Sequence, residues 1–221
     1  MLNCIFDFNG TMIFDGEIQN KAWKTYLEEK IHRPIQEDEF QQYVHGKNIK
    51  DTFKYFLNAD YSPEEALEIG EGKEEIYRNM CLESPDFKLA PGLVDFLDYL
   101  KEKGVPRNIA TASAFPNTKF FFEQLGLDEW FDLEKTAYND GVIPGKPNPD
   151  IFLLSAKKIG VDMKACVVFE DSYSGVEAAK RAHAKKIVVI NSMNNAYEDT
   201  QNLLVLKDYT DIERLIKFIQ D

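Results

Sequence analysis

The chain has 221 residues, of which 44% are hydrophobic and 29% are charged, a composition typical of globular proteins and unlike that of disordered or fibrous chains. This length suits one α/β core with an inserted or appended subdomain and argues against two large independent domains. The 38 acidic side chains outnumber the 26 basic ones and give a net charge of -12, which argues against nucleic acid and anionic membranes as partners.

The three cysteines, Cys4, Cys81 and Cys166, lack the spacing of a metal site. Cys4 and Cys166 lie in apolar runs typical of strands, where a cysteine behaves as a small hydrophobic residue. The N-terminus enters an apolar strand without a cationic segment or cleavage signal, and no apolar stretch approaches the roughly 20 residues that span a bilayer. We therefore expect the protein in a reducing cytoplasm.

The first predicted element is a buried strand. The apolar run from Leu2 to Phe6 stops at a polar turn, Asp7-Phe8-Asn9-Gly10-Thr11, as expected where a strand ends. From about Asp15 to Lys88 the periodicity then becomes helical.

This helical stretch contains at least three predicted helices. One apolar face comprises Ile18, Ala22, Tyr26 and Leu27, and another comprises Ile49, Phe53, Phe56 and Leu57. Ser62 is the expected N-cap of a third helix, since proline and a capping-box glutamate follow it. We interpret residues 15–88 as an all-helical subdomain inserted into one α/β domain formed by residues 1–14 and 89–221.

From Pro91 onward, helices alternate with short apolar runs. Helices are predicted at 92–103, 117–125, 149–159 and 174–182, strands at 107–112, 133–138, 165–169 and 186–190, and a closing helix at 211–219. This alternation predicts an α/β fold in which a Rossmann-like parallel sheet is flanked by helices.

Polar side chains follow several of the predicted strands directly. In open α/β sheets, ligands bind beyond the carboxyl ends of the strands. The residues at these positions are Asp7 and Asn9 after the first strand, Thr111 and Ser113 at the end of strand 107–112, and Glu170 and Asp171 after strand 165–169. A further polar feature, Lys146 between Gly145 and Pro147, precedes the helix at 149–159.

These motifs, in this order, resemble those of the haloacid dehalogenase-like hydrolases. They are Asp7-Phe8-Asn9-Gly10-Thr11, then Thr111, then Lys146 in Gly-Lys-Pro-Asn-Pro-Asp, then Glu170-Asp171-Ser172-Tyr173-Ser174-Gly175. The helical insertion resembles the cap of the branch that contains β-phosphoglucomutase and sugar-phosphate phosphatases. The resemblance spans essentially the whole chain.

The resemblance implies phosphoryl transfer through a covalent aspartyl phosphate on Asp7. It implies that Lys146 bridges the nucleophile and the phosphoryl oxygens, and that Thr111 with nearby backbone amides holds the same oxygens as charge develops. The positions expected to contact the substrate around these residues are Gly10, Ala112 and Ser113.

The resemblance also implies a Mg²⁺ cofactor. Its expected ligands are the side chain of Asp7, the backbone carbonyl of Asn9, and Asp171 with help from Glu170, an all-oxygen set that suits this hard cation. A cation and a lysine at the site would also offset the negative field of the chain around an anionic ligand.

Asn9 is a departure from the family pattern, which has a second aspartate here as general acid and base. An amide does not titrate, so this catalysis, worth about 10²–10⁴-fold, is lost or moved elsewhere. Three explanations stay open: a natural low-turnover lineage, a deliberate substitution that traps a complex, or a protein that binds phosphorylated ligands without turnover. Asn9-Gly10 is also a deamidation-prone pair.

The predicted cap supplies candidate substrate residues in the loop from His45 to Lys50. Lys47 and Lys50 are candidates for contact with an anionic substrate, although two solvated helix lysines are an equally good interpretation. The mutase branch has an arginine where Ile49 stands and a histidine where Asn20 stands, so both departures weaken a mutase interpretation. His183 stands where the family often has glycine at a helix end.

We therefore expect a Mg²⁺-dependent phosphatase that acts on a small phosphorylated metabolite, as a monomer or weak homodimer. The alternatives are a β-phosphoglucomutase-like isomerase and a phospholigand-binding pseudoenzyme. The segment from Gly141 to Pro147 has the wrong spacing for a P-loop and lacks its hydroxyl residue. A metal-free dehalogenase is disfavoured by the paired acids Glu170 and Asp171.

Overall fold

The structure is a computed structural model that describes residues 1–44, 49–192 and 196–220. The chain forms two compact units. Residues 1–14 and 88–221 form the first, here called the core unit, and residues 15–87 form the second, here called the helical unit. The division lies one residue from the boundary expected from the sequence.

The core unit contains a six-stranded sheet in the order β3-β2-β1-β4-β5-β6. Its strands are β1 (Asn3–Phe6), β2 (Arg107–Ala114), β3 (Ala137–Asn139), β4 (Cys166–Glu170), β5 (Lys186–Ile190) and β6 (Leu203–Leu206). Every neighbouring pair is parallel. In the middle of the sheet, Phe6 of β1 pairs with Ile109 of β2 on one side and with Phe169 of β4 on the other. The predicted α/β fold with a parallel sheet is confirmed.

The helical unit consists of α1 (Gly16–Ile31), α2 (Glu37–Tyr43), α3 (Ile49–Leu57) and α4 (Pro63–Glu83). The expected capping box at the start of α4 is present, because Ser62 accepts from the Glu65 amide and the Glu65 side chain accepts from the Ser62 amide. The unit has its own apolar core, formed by Tyr26, Leu27, Ile35, Phe40, Val44, Phe53 and Ala66. No helix in the described ranges is both long and apolar enough to cross a membrane.

The helices of the core unit are α5 (Leu93–Glu102), α6 (Phe115–Leu125), α7 (Asp150–Lys158), α8 (Tyr173–Arg181) and α9 (Ile212–Gln220). From α5 to β5 the helices and strands alternate as predicted. All three cysteines of the chain are free and buried. Burial raises the pKa of the Cys4 and Cys166 thiols, in keeping with their predicted role as core residues.

Two segments differ from the sequence prediction. The strand predicted at 133–138 is wrong over its first half, where Leu133–Lys135 form a 3₁₀ turn, because the Asp132 side chain accepts from the Glu134 amide and caps the turn. Only Ala137–Asn139 pair with β2. Strand β6 had no prediction because it has four residues at the sheet edge, and its pairing with β5 defines it.

Candidate active site

Asp7 lies at the carboxyl end of β1, in the middle of the sheet. Its backbone amide donates to the Phe169 carbonyl at 2.9 Å, which continues the pairing with β4 for one residue beyond the strand. The carboxylate is buried and accepts from Lys146 Nζ at 2.5 Å on one oxygen and from Thr11 Oγ1 at 3.1 Å on the other. Asp7 is therefore held in one orientation by two donors.

Lys146 reaches this site from the loop before α7. Its ammonium donates to Asp7 Oδ1 and, at 2.6 Å, to Glu170 Oε1, and it lies 5.0 Å from the centroid of the Phe152 ring. Burial alone would lower the pKa of this ammonium, but the two carboxylates outweigh burial and raise it. Lys146 therefore stays charged and bridges two carboxylates that are 163 residues apart in sequence.

Glu170 ends β4, and the start of α8 holds its second oxygen. Oε2 accepts from the Asp171 and Ser172 amides at 2.8 Å each and from Ser172 Oγ at 3.0 Å. Ser172 also caps α8 by accepting from the Gly175 amide at 3.1 Å. A Cβ on Gly175 would lie 1.6 Å from Glu170 Oε1, so only glycine leaves room for this carboxylate.

Asp7, Glu170 and Asp171 form a cluster whose carboxylate oxygens lie within 4.8 Å of one another. Burial raises the pKa of Asp7 to about 6, although the nearby Lys146 partly opposes the shift. Burial, with repulsion from Glu170 and Asp7, raises the pKa of Asp171 to about 9. The single ammonium of Lys146 does not neutralise three ionised carboxylates. A divalent cation, which prefers oxygen ligands, fits this cluster.

Gly10 makes room for the third carboxylate. Its φ of 79° lies in the left-handed region, and a Cβ there would lie 2.2 Å from Asp171 Oδ2. Glycine adopts this backbone conformation without the steric penalty of other residues. Gly10 therefore allows the turn after β1 to approach Asp171.

Asn9 and the end of β2 lie next to each other at the carboxyl ends of the strands. Ser113 Oγ donates to Asn9 Oδ1 at 2.8 Å, and the Ser113 amide donates to Thr111 Oγ1 at 3.0 Å. Thr111 is buried, whereas Ala112 is exposed. The amide of Asn9 is consequently fixed by the strand that carries the predicted substrate residues.

Within the core unit, Lys146, Glu170 and Asp171 lie at Asp7, and a separate pair of hydrogen bonds links Asn9, Ser113 and Thr111. Lys47 and His45 lie outside the described residues. Lys50 lies in α3 and forms an ion pair at 3.3 Å with Asp60 of the same unit. The expected contact of Lys47 and Lys50 with the substrate stays a prediction.

Sequence reasoning assigned no site role to several supporting residues. Thr11 was part of the first motif without a function, and Ser172 and Gly175 were part of the last. For Ser172 and Gly175, the sequence signal was a serine three residues before a glycine, which is the spacing between an N-cap and its amide partner. Tyr209 had no signal: it donates to the Thr11 carbonyl at 3.2 Å from 198 residues away.

The haloacid dehalogenase-like hydrolase family matches residues 1–183. The chain therefore belongs to this family. A solved structure of a family IA, variant 3 hydrolase from Entamoeba histolytica has a TM-score of 0.89 and 35% identity over all of both chains.

Two curated relatives carry more particular names. The chain is 28% identical to a phosphorylated carbohydrates phosphatase from Thermotoga maritima over 203 residues, which cover 86% of each chain. It is also 28% identical to a β-phosphoglucomutase from Mycobacterium tuberculosis over 223 residues, which cover 90% of this chain and 84% of the relative.

Proposed function

We propose that this protein is a Mg²⁺-dependent phosphatase that acts on a small phosphorylated sugar through an aspartyl phosphate on Asp7. The observation that carries the proposal is the convergence of Lys146, Glu170 and Asp171 on the buried carboxylate of Asp7. Membership of a hydrolase family and the resemblance to a carbohydrate phosphatase support the reaction class and the substrate class.

In the first step a carboxylate oxygen of Asp7 attacks the phosphorus, and the bond between phosphorus and the ester oxygen breaks. Lys146 neutralises charge on the nucleophile and on the transferred group, because its ammonium already bonds Asp7. Thr111 and the amides near it hold the phosphoryl oxygens. Water then hydrolyses the acyl phosphate, releases inorganic phosphate and restores Asp7.

The donor set fits magnesium. Asp7, Glu170 and Asp171, with the backbone carbonyl of Asn9, would hold it, since these are hard oxygen ligands and three of them already cluster. When bound, magnesium supplies positive charge to the phosphoryl oxygens and so lowers their repulsion of the nucleophile.

Asn9 limits the reaction at the leaving group. Its side-chain oxygen accepts from Ser113 Oγ, and an amide does not titrate and cannot protonate the ester oxygen, so the leaving oxygen takes its proton from solvent. Esters with good leaving groups should therefore react fastest. The same observation favours the second candidate, a protein that binds phosphorylated ligands with little or no turnover.

The test is Mg²⁺-dependent phosphate release from an aryl phosphate and from a panel of sugar phosphates, with the unmodified chain, Asn9→Asp and Asp7→Asn in parallel. We expect Asn9→Asp to raise sugar-phosphate turnover by about 10²–10⁴-fold and aryl-phosphate turnover much less. Asp7→Asn should be inactive on both. Mass spectrometry of the peptide that contains Asn9 excludes deamidation as the source of residual activity.

An equal gain on both substrates would contradict the role given to position 9. Turnover that survives in Asp7→Asn would contradict the covalent route. The binding-only candidate instead predicts Mg²⁺-dependent affinity for a sugar phosphate, with no phosphate release and no acid-labile aspartyl phosphate in the unmodified chain.

A further inference from the structure

A cavity lies at the amino-terminal ends of the strands, opposite to the carboxyl ends where Asp7 lies. Its volume is about 650 Å³, and its lining residues are Lys164, Lys180, His183, Ala184, Lys185, Ile187, Thr200, Asn202 and Leu203. Lys164 precedes β4, and Lys185 precedes β5. Because the strands are parallel, this amino-terminal edge lies about 15 Å from the carboxyl ends that carry the acidic cluster.

The lining of this cavity has an unusual charge. Three lysines and one histidine line it, with no acidic residue among the lining residues, although acidic side chains outnumber basic ones by 12 in the chain. Within the ranges that the structure describes, no ion pair is formed by Lys164, Lys180 or Lys185. Lys180 lies in the last turn of α8, where the helix dipole favours a cation. This helix end does not explain the presence of Lys164 and Lys185.

His183 adds an imidazole to the lining of the cavity. It has a φ of 61°, in the left-handed region, which histidine adopts more often than most residues other than glycine, and His32 at the end of α1 has a φ of 55°. Its amide donates to the Lys180 carbonyl at 3.0 Å and closes the last turn of α8. Glycine would make this turn at lower cost, so His183→Gly can remove the imidazole from the cavity without breaking the turn.

The rest of the lining indicates the kind of anion. Ala184, Ile187 and Leu203 are apolar and partly or fully buried, whereas the charged groups are exposed. An inorganic anion would use only the charged groups. A cavity of this size accommodates a small organic molecule.

We propose that this cavity is a second ligand site, which binds a small organic polyphosphate such as a nucleoside diphosphate. The phosphates contact the cluster of Lys164, Lys180, His183 and Lys185, because lysine ammonium groups bind phosphate as compact point charges. The nucleoside packs on Ala184, Ile187 and Leu203. The volume of about 650 Å³ and the mixed apolar and charged lining favour a small molecule over an extended acidic peptide.

The test uses ADP as the probe, in EDTA without magnesium so that the acidic cluster does not recruit phosphate. Titration into ¹⁵N-labelled full-length protein should shift the backbone amide signals of residues 180–187 and 200–203. Pyrophosphate, which lacks the apolar part, and a short poly-glutamate peptide should bind more weakly than ADP.

Two variants match each other in charge. Lys164→Gln with Lys180→Gln and Lys185→Gln should weaken ADP binding by about tenfold, the product of three exposed charge contacts. Lys119→Gln with Lys157→Gln and Lys217→Gln removes the same charge at exposed positions elsewhere and should change affinity by less than about twofold. Equal losses in both triple variants would overturn the proposal, as would amide shifts confined to other parts of the chain.

His183→Gly separates ligand binding from backbone strain. This variant should raise the melting temperature, because glycine relieves the left-handed strain, and it should weaken ADP binding. A rise in stability with unchanged ADP affinity would overturn the part assigned to the imidazole. ADP binding no tighter than that of pyrophosphate or the peptide would overturn the ligand class.

Discussion

Glu170 shows how single residues determine the candidate active site. Its carboxylate accepts three hydrogen bonds on one oxygen and an ammonium on the other. The side chain occupies the space where residue 175 would otherwise carry a Cβ. Side-chain volume at position 175 therefore controls the geometry of the acidic cluster.

Gly175→Ala tests this point. Alanine usually stabilises a helix by about 1 kcal/mol over glycine, but here it should destabilise the fold and weaken Mg²⁺ binding, because the Cβ would collide with Glu170. Gly145→Ala is the control, since nothing lies within 4 Å of its added Cβ. Melting curves and Mg²⁺ titrations measure both effects. A more stable Gly175→Ala variant with normal Mg²⁺ affinity would contradict the assigned contact.

Two tyrosine hydroxyls differ in a way that stability measurements can detect. Tyr77 Oη donates to Asp15 Oδ2 at 2.7 Å inside the helical unit, whereas the Tyr197 hydroxyl is buried and has no partner within the described residues. A hydrogen bond to a charged group contributes about 1.5–3 kcal/mol, whereas a buried unpartnered hydroxyl only costs desolvation.

We therefore expect Tyr77→Phe to lose about 1.5–3 kcal/mol of unfolding free energy and Tyr197→Phe to lose none. Denaturant unfolding of both variants measures the difference. Comparable destabilisation by the two substitutions would show that Tyr197 has a bonded partner in solution.

At the scale of elements, the start of α8 combines a helix cap with a functional position. Ser172 bonds both the Gly175 amide and Glu170, whereas Ser62 at the start of α4 only caps its helix. The two serines therefore have the same role in their helices but different surroundings.

Ser172→Ala and Ser62→Ala should each lose about 0.5–2 kcal/mol of stability, the usual range for an N-cap. Only Ser172→Ala should also weaken Mg²⁺ binding, because it frees Glu170 from one donor. Chemical denaturation and calorimetric Mg²⁺ titration of both variants test this expectation. Equal Mg²⁺ affinity in the two variants would show that the bond from Ser172 to Glu170 does not affect metal binding.

At the scale of the whole molecule, the acidic cluster links stability to pH. The pKa of Asp7 rises from 3.8 to about 6 and that of Asp171 to about 9. Over this range the folded state binds more protons than the unfolded state, so the metal-free protein loses stability as pH rises. Below about pH 4 both states are protonated and this effect disappears.

Magnesium should reverse this trend, because it binds ionised carboxylates and competes with protons. We expect a larger rise in melting temperature with MgCl₂ at about pH 9 than at about pH 5. Asp171→Asn is the control and should reduce the difference between the two pH values. A magnesium effect independent of pH would exclude these carboxylates as its site.

The sequence by itself determined the parallel α/β fold, because apolar runs alternate with helical periodicity and most of its elements are coded locally. It also determined the order of the chemical motifs, since Asp7, Thr111 and Glu170 each lie at the end of an apolar run. The carboxyl ends of parallel strands lie on the same side of the sheet, so the proximity of these three residues follows from the fold.

Only the tertiary structure decided contacts between residues that are distant in sequence. The bridge from Lys146 to two carboxylates, the hydrogen bond from Ser113 to Asn9 and the bond from Tyr209 to Thr11 depend on loop paths and side-chain orientations that no local pattern encodes. The same holds for β6, which exists through pairing with β5. Local propensity determines which elements form, whereas packing determines which side chains meet.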